Sequence, residues 1–231
     1  MTTFSVIVPA LNEADGIAAC VAAVRDLDPA VEVVVADGGS DDATVASAQQ
    51  AGALVVQAPR GRGPQCNAGA AASSGDVLIF LHADTKLPAD AFTLLQRWFA
   101  EPQVQIAKFR LSFDVSNPLL DLAACMMWLD SRLTSYGDQG IVVRRSFFNT
   151  LGGFPPWPLF EDVRLFELAR AQTQVYVLPA QVVTSSRRFQ ANGSLPQLII
   201  DLGLWLEYVA GVSPFEIAAR YERRRGMPPK A

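Results

Sequence analysis

The stretch FSVIVPALNE, residues 4–13, decides the fold class of this chain. Its first six residues are mainly β-branched or aromatic and end at Pro9, so the run is too short for a helix and typical of a strand buried on both faces. Beyond it, the apolar residues from Ile17 to Leu27 recur at three- and four-residue intervals. That spacing predicts a helix, for which Asn12 is a candidate cap, and the two elements make one βα unit.

The same alternation continues through the first half of the chain. Each further apolar run is short and is followed by a polar turn and a stretch with helical spacing. The pattern predicts strands over residues 31–36, 54–57 and 77–81, and helices over residues 43–50, 65–73 and 89–99. Strands that alternate with short helices predict an α/β fold with a mostly parallel central sheet and helices on both faces.

The second half is less regular. Its patterns predict strands over residues 106–115 and 140–143 and helices over residues 119–133 and 163–170. Residues 195–212 are strongly apolar, but Gln197, Asp201 and Glu207 interrupt them, and the run is at the short end of the roughly 17–25 residues that cross a bilayer. We interpret it as a packed or surface-docked helix. The basic tail that follows, Tyr221 to Arg225, suits either an anionic lipid surface or a solvated helix end.

The composition excludes several classes of function. The 231 residues carry a net charge of −4, which argues against nucleic-acid binding through a broad basic surface. Three cysteines without a C-x-x-C pair predict neither a zinc site nor a disulfide framework and favour a reducing compartment. The single histidine excludes a site with several histidine ligands. The N-terminus lacks the pattern of a signal peptide, so we expect a cytoplasmic protein.

Polar clusters follow three of the predicted strands. Asn12 and Glu13 come after the first, Asp37 after the second, and His82 and Asp84 after the run at 77–81. In an open parallel sheet, ligands bind outside the carboxyl ends of the strands, so the predicted topology brings all three clusters to one binding edge. Each cluster by itself is equally well explained as a turn with a helix cap.

The turn after the first strand contains no glycine. A dinucleotide site would place G-x-G-x-x-G there, and the sequence has Pro9, Ala10 and Leu11 instead. The lysine pattern of a phosphate-binding P-loop is also missing. Simple NAD-binding and P-loop interpretations are therefore excluded.

Asp84 is a candidate ligand for a hard divalent cation. Mg²⁺ and Mn²⁺ prefer carboxylate oxygens and often use one or two carboxylates together with substrate phosphates. Capping of the next helix is the alternative for Asp84, and a hydrogen-bonded, partly buried imidazole is the alternative for His82.

Two further clusters lie in the second half. A proline- and aromatic-rich loop, residues 155–160, leads into Glu161 and Asp162. The two acids can stabilise the N-terminus of the following helix through its dipole, or one of them can be a general base in a cleft. Asp138 lies in a Gly-Asp-Gln-Gly segment that can be a simple turn. Arg187 and Arg188 form either a surface loop or a bidentate site for a diphosphate.

In this order, the clusters resemble the family 2 glycosyltransferases with the GT-A fold, the nucleotide-diphospho-sugar transferase fold. The resemblance covers most of residues 4–190 and rests on four segments: SVIVPALNEADGI, VVVADGGSDDAT, HADT at the place of the D-x-D metal motif, and FEDVRL at the place of the Glu-Asp motif. Three more, GRGPQCNAGAA, GDQGIVVRR and SSRRF, resemble a small soluble bacterial subgroup found beside radical-SAM proteins.

The resemblance implies a role for each matching residue. Glu13 and Asp37 would contact a uridine-type nucleotide, and Asp84 would bind the Mn²⁺ or Mg²⁺ that bridges the diphosphate. Asp162, with Glu161 beside it in the motif, would be the catalytic base of an inverting transfer. The other implied substrate-side residues are Pro9, Ala10, Asn12, Gly39, Ser40, Arg62, Gln65, Asn67, Ala83, Asp138, Arg187 and Arg188. His82 replaces the first acid of D-x-D, which leaves its own part in metal binding open.

We therefore expect a single domain over residues 1–231. Its nucleotide-binding half would cover about 1–103, its acceptor-side half about 104–194, and a helical extension about 195–231. The expected partners are a UDP-sugar or similar donor and an acceptor that is a small molecule or lipid-linked, with no nucleic acid. The C-terminal helices could form a homodimer or a peripheral contact at the inner face of the membrane. A nucleotidyltransferase and a catalytically weak nucleotide-sugar-binding protein stay as alternatives.

Overall fold

The computed structural model describes residues 2–224, so Arg225 and the rest of the predicted basic tail lie outside the described residues. Eight strands form one sheet in the order β3-β2-β1-β4-β7-β6-β8-β5. The strands are β1 Phe4–Ala10, β2 Glu32–Asp37, β3 Leu54–Gln57, β4 Val77–Phe80, β5 Thr85–Lys86, β6 Ile106–Phe113, β7 Ile141–Arg144 and β8 Val175–Thr184. The four strands β1 to β4 are parallel, and the other side of the sheet is mixed. The predicted α/β fold is confirmed: strands β1 to β4 are all parallel, and β6 with β8 is the one parallel pair among the other described strands.

Ten helices and one 3₁₀ turn surround the sheet in the described part. The helices are α1 Ile17–Leu27, α2 Thr44–Gln50, α3 Arg62–Ala72, α4 Ala91–Trp98, α5 Pro118–Met126, α6 Arg145–Leu151, α7 Glu161–Arg170, α8 Arg187–Asn192, α9 Ser194–Val209 and α10 Pro214–Arg224, and the 3₁₀ turn is Gly137–Gln139. No helix among these is both long enough and apolar enough to cross a bilayer.

The hydrophobic core has one layer on each face of the sheet. Side chains of α1, α2 and α4 pack on one face, and side chains of α3, α6 and α7 pack on the other. Alternate residues of β1 enter opposite layers: Val6 and Val8 lie in the first, and Ile7 lies in the second. All three are fully buried, as expected for a strand covered on both faces.

Several element boundaries differ from the sequence predictions. The predicted helix over residues 119–133 is wrong beyond Met126, because the chain turns there and brings the carbonyls of Met127 and Leu129 to the buried ammonium group of Lys108. Helix α3 begins at Arg62 rather than residue 65, so the end of the predicted loop is helical. Strands β5 and β8 were not predicted.

Asn12 does not cap α1. The helix begins at Ile17 and is preceded by Gly16, whereas Asn12 lies in the left-handed region with φ of 55°. Its side-chain oxygen accepts a hydrogen bond from the backbone N–H of Asp41, in the loop after β2. A contact between two strand-end loops thus replaces the predicted local cap.

Candidate active site

The loop after β2 is organised around the carboxylate of Asp37. The side chain accepts hydrogen bonds from the backbone N–H groups of Gly39 and Ser40 and from the Ser40 hydroxyl. Burial alone would raise the pKa of Asp37, but these hydrogen bonds lower it below its ordinary value. The residue is therefore an anion with fixed orientation at the end of its strand.

Side chains also hold the end of β1 against the end of β2. The Ser40 hydroxyl oxygen accepts from the backbone N–H of Asn12 at 2.9 Å. The buried amide of Gln65 donates to the carbonyls of Ala10 and Ala36, at 2.6 and 2.9 Å. Gln65 thus closes the base of the cleft between the two strand ends.

Arg187 links the other two strand-end clusters. One terminal nitrogen of its guanidinium lies 3.4 Å from a carboxylate oxygen of Glu13 and 3.4 Å from one of Asp84. The side chain is more than half exposed, so the cation faces the cleft and is open to an incoming anion. The sequence prediction that the strand-end acids lie at one edge agrees with this geometry.

His82 is partly buried and faces Gly137, in the loop over residues 127–139. A side chain built on Gly137 would come within 3.2 Å of His82 Nε2 and 3.1 Å of an Asp162 carboxylate oxygen. Burial, reinforced by Arg62 and Arg188, lowers the pKa of His82 to about 3. The imidazole is therefore neutral at physiological pH.

Asp162 is held at the start of α7 by two backbone groups. Its Oδ2 accepts from the N–H of Gly137 at 2.6 Å, and its Oδ1 accepts from the N–H of Val163 at 2.7 Å. Phe160, just before the pair of acids, has φ of 63°, a conformation that bulky residues rarely adopt. Only Asn12 shares this property among the described non-glycine residues, and both flank the site.

Glu161 is buried and forms an ion pair with Arg62, whose side chain is about half exposed. The Nε of Arg62 lies 2.8 Å from Oε1 of Glu161, whose side chain is 4% exposed. Its Oε2 has no hydrogen-bond partner among the described residues, and burial raises the pKa of Glu161. Glu161 raises the pKa of Arg62 in turn. The pair joins the N-termini of α3 and α7 and so fixes the neighbouring Asp162.

Asp138 is a second carboxylate near Asp162. Its Oδ1 is buried and has no hydrogen-bond partner in the part of the chain that is described. Burial and, after it, the charge of Asp162 raise the pKa of Asp138 to about 6. Perturbed carboxyls of this kind concentrate at functional sites.

Two residues predicted to face substrate are engaged in structural contacts. The amide of Asn67 both donates to and accepts from the backbone of Phe154, at 2.9 Å each. The guanidinium of Arg188 pairs with Asp201 of α9 at 2.8 Å. The resemblance alone could not separate these roles from substrate binding, since both residues lie next to site residues in the sequence.

A narrow pocket joins the two sides of the candidate site. Pro9, from the carboxyl-end half of β1, lines it together with His82, Gly137, Glu161 and Asp162. The small residues of the predicted set complete the strand ends: Ala10 and Ala83 are buried, and Gly39 has a positive φ of 87°.

The residues present fit a divalent metal that is coordinated mainly by phosphate oxygens of a bound molecule and by water. The described residues contain no group of three or more His, Cys, Asp or Glu side chains that could hold a metal ion. Asp84 nevertheless offers one exposed carboxylate, which now pairs with Arg187. A single carboxylate suffices for Mg²⁺ or Mn²⁺ when phosphate oxygens and water supply the other ligands.

Lys108 was not predicted as a site residue, although it holds the loop over residues 127–139. Its fully buried ammonium group donates to the carbonyls of Leu129 and Thr134 and to the hydroxyl of Ser135, and burial lowers its pKa to about 7. A lysine within an apolar strand was the available signal, because lysine is almost never fully buried without partners. The register of β6 against β8 shifts just after it, between Lys108 and Arg110.

A family model described as glycosyl transferase family 2 matches residues 5–121. That range covers slightly more than half of the 231 residues, from β1 into α5. No curated protein matches the chain.

Three solved structures illustrate the fold. A mannosyltransferase from Pyrobaculum calidifontis, solved with GDP-Man and Mn²⁺, is 22% identical with a TM-score of 0.63 over 79% of this chain and 56% of its own. S. aureus TarS 1–349 with UDP is 17% identical, with a TM-score of 0.63 over 79% of this chain and 60% of its own. Glucosyl-3-phosphoglycerate synthase from Mycobacterium tuberculosis, solved with Mg²⁺ and UDP, is 22% identical, with a TM-score of 0.60 over 98% and 80%.

These TM-scores show that the chain shares the GT-A fold. The chain spans less than two thirds of the mannosyltransferase and of TarS.

Proposed function

The chain belongs to glycosyl transferase family 2, and on that premise we propose that it is an inverting glycosyltransferase. The proposed donor is a nucleotide-diphospho-sugar, specifically a UDP-sugar, and the proposed acceptor is a hydroxyl group of a small or lipid-linked molecule. Structures of the same fold solved with UDP or GDP-Man support this donor class. We place the reaction in the cytoplasm, which suits the three free thiols.

One observation carries the proposal: the pocket that Asp162 lines is also lined by Pro9 at the end of β1. The strand ends carry Asp37 and Asp84, the residues that the resemblance assigns to the nucleotide and the metal. A donor bound across these strand ends would present its sugar to Asp162.

The proposed reaction is a single displacement. Asp162 takes the proton of the acceptor hydroxyl while the hydroxyl oxygen forms a bond to the anomeric carbon. The bond from that carbon to the diphosphate breaks on the opposite face, and the electron pair leaves with the nucleotide, so the configuration inverts. The N–H of Gly137 and the Arg62–Glu161 pair keep Asp162 oriented during this proton transfer.

Cationic groups face the leaving diphosphate in this proposal. Arg187 lies between Glu13 and Asp84 and is placed to pair with phosphate oxygens. Asp84, with His82 close to it in the chain, would hold Mn²⁺ or Mg²⁺, which when bound neutralises charge that develops on the diphosphate.

The proposal is tested with purified full-length protein and a panel of UDP-, GDP- and dTDP-sugars in the presence of Mn²⁺. We expect sugar release or transfer from at least one donor, and Asp162→Asn should lower its rate about 10²–10⁴-fold, the usual contribution of a general base. Glu101→Gln makes the same chemical change at an exposed site and should leave the rate unaltered. An unchanged rate for Asp162→Asn would remove Asp162 from its proposed role.

His82 stands where the family carries an acid, and this replacement favours a second candidate function, nucleotide-sugar binding without catalysis. A nucleotide-sugar-binding protein without turnover would bind UDP-sugars tightly in calorimetry, with no enhancement by metal and no product. Release of pyrophosphate, the signature of nucleotidyl transfer, serves as a negative control in the same assays.

A further inference from the structure

Helix α9 turns its polar side chains toward the protein and its apolar side chains toward solvent. Gln197 is its buried residue and bonds to Asn192 and Asp201. The hydroxyl of Tyr208 donates to Glu167 of α7 at 3.1 Å. A surface helix of a globular protein has the opposite arrangement, with its apolar stripe facing the core.

Every exposed residue of α9 is apolar or glycine. The large ones are between 40% and 61% exposed, and they are Leu195, Ile199, Ile200, Leu202, Leu206 and Val209. Monomeric soluble proteins rarely expose so continuous an apolar patch, and such patches mark interaction sites.

The patch continues onto α5 and the segment after it. Leu122, Met126, Leu129 and Leu133 are each more than half exposed. The two helices begin side by side, since the amide of Asn117 donates to the hydroxyl of Ser194 at 3.2 Å. We call these four residues and the six of α9 the apolar surface. Elsewhere the described part exposes only three large apolar side chains, at Leu54, Val183 and Phe215.

The sequence that follows α9 carries more basic than acidic residues. The two acids of α9 are neutralised, Asp201 by Arg188 and Glu207 by Arg220. Residues 214–231 contain five basic and two acidic residues, although the whole chain has a net charge of −4. An apolar helix face beside basic residues is the combination that binds a helix to an anionic membrane surface.

We propose that the apolar surface rests on a lipid bilayer that contains anionic lipids, with α9 lying in the plane of the membrane. A second copy of the chain fits less well. A helix pair uses a narrow apolar seam flanked by charged positions that select the partner, whereas the exposed side of α9 is broad and carries no charge.

The same helix contacts both sides of the candidate active site. Asp201 pairs with Arg188, next to Arg187, and the ring of Tyr208 stacks on Phe160, just before Glu161, at 4.7 Å. Membrane docking would therefore hold the cleft close to the lipid surface. A cleft close to the membrane favours a lipid-linked acceptor over a soluble one. This choice of acceptor rests on the proposed function, whereas the membrane contact does not.

Vesicle flotation tests the membrane contact directly. The full chain should float with vesicles of equimolar phosphatidylglycerol and phosphatidylcholine, and less with phosphatidylcholine alone or at high salt. The variant Ile199→Glu/Leu202→Glu/Leu206→Glu should lose at least about tenfold in partitioning, because burial of one such side chain already exceeds a decade in an equilibrium constant. Leu54→Glu, an exposed apolar site elsewhere, should float like the wild type.

Circular dichroism checks that the variants fold, and Leu122→Glu/Met126→Glu provides a second disruption if the triple variant does not. The proposal is overturned if the folded α9 or α5 variants partition into vesicles as the wild type does. It is also overturned if the wild-type protein does not bind anionic vesicles. So would a lipid-free dimer in sedimentation equilibrium that the triple variant converts to monomer, because the surface would then belong to a second copy. Hydrolysis of the donor is measured in a separate assay. Failure of the proposed glycosyltransferase function can therefore be distinguished from failure of the membrane contact.

Discussion

Residues 4–84 and residues 104–192 place their functional side chains by different means. In the first region, parallel strands of the sheet end at one edge, and Glu13, Asp37 and Asp84 follow those ends. In the second, the chain between Met127 and Gln139 is held by buried polar side chains, above all Lys108. Regular topology suffices to gather the acids of the first region, the proposed donor side, whereas the second region, the proposed acceptor side, depends on individual long-range contacts. Single substitutions should therefore damage the two regions differently.

The largest effect is expected where the two regions meet, at the Arg62–Glu161 ion pair. Arg62→Met leaves the buried Glu161 carboxylate without its partner. Breaking a fully buried pair costs about 3 kcal/mol or more of unfolding free energy, and because Arg62 is half exposed we expect a loss of at most about 3 kcal/mol. Urea denaturation at pH 8 measures the loss.

Two variants control this prediction. Arg60→Met changes an exposed arginine two residues away and should cost little. Arg62→Met/Glu161→Gln removes both charges and should recover part of the stability. If Arg62→Met costs no more than Arg60→Met, the pair does not join the two regions energetically.

The second effect concerns Lys108, which serves the acceptor side alone. Lys108→Met leaves its carbonyl and hydroxyl partners unpaired, so we expect a loss of about 2 kcal/mol in stability. Activity should fall through a higher KM for the acceptor or a lower kcat, while the donor Kd from calorimetry stays within error.

Gln65→Met is the matched change on the donor side, because it also replaces a buried hydrogen-bond donor by methionine. It should weaken donor binding while sparing the KM for the acceptor. The distinction between the regions fails if both variants alter donor and acceptor parameters alike.

The smallest effect concerns the protonation of Asp138. Its pKa is about 6 in the folded protein, above the ordinary aspartate value of about 4, so the folded state binds the proton more tightly. Stability contributed by this group is present below about pH 4 and is lost as the pH rises to about 6. Asp138→Asn should therefore raise Tm by about 2–4 °C at pH 8 and leave it unaltered at pH 4. Scanning calorimetry at the two pH values tests this, and an equal shift at both would contradict it.

Asp37 and Lys108 show how far sequence reasoning reaches. The place of Asp37 at a strand end follows from an apolar run that stops at a polar turn, both of which are visible locally. The partners of Lys108 come from residues 19 to 31 positions away in a segment without regular structure. The sequence predicted a helix through part of that segment, because local apolar spacing carries no information about a distant buried ammonium group.

Arg62 and Asn67 show the same limit within the candidate site. The resemblance assigned both residues to a nucleotide pocket. In the folded protein Arg62 holds Glu161 and Asn67 holds the backbone of Phe154, both in the second region. A motif preserves which residues occur together, but the direction of each side chain depends on the helix start and on what packs against it.

Local sequence patterns were enough to predict the α/β class, the strand ends that carry acids, and the Glu-Asp pair that opens a helix. Each of these follows from short-range apolar periodicity, from turn chemistry, or from a motif of adjacent residues. Three features are visible only in the folded protein: His82 faces Gly137, Lys108 anchors the loop over residues 127–139, and α9 turns its apolar side outward. Those outcomes depend on which distant groups satisfy each buried charge and hydrogen bond, and burial is a property of the whole fold rather than of any segment.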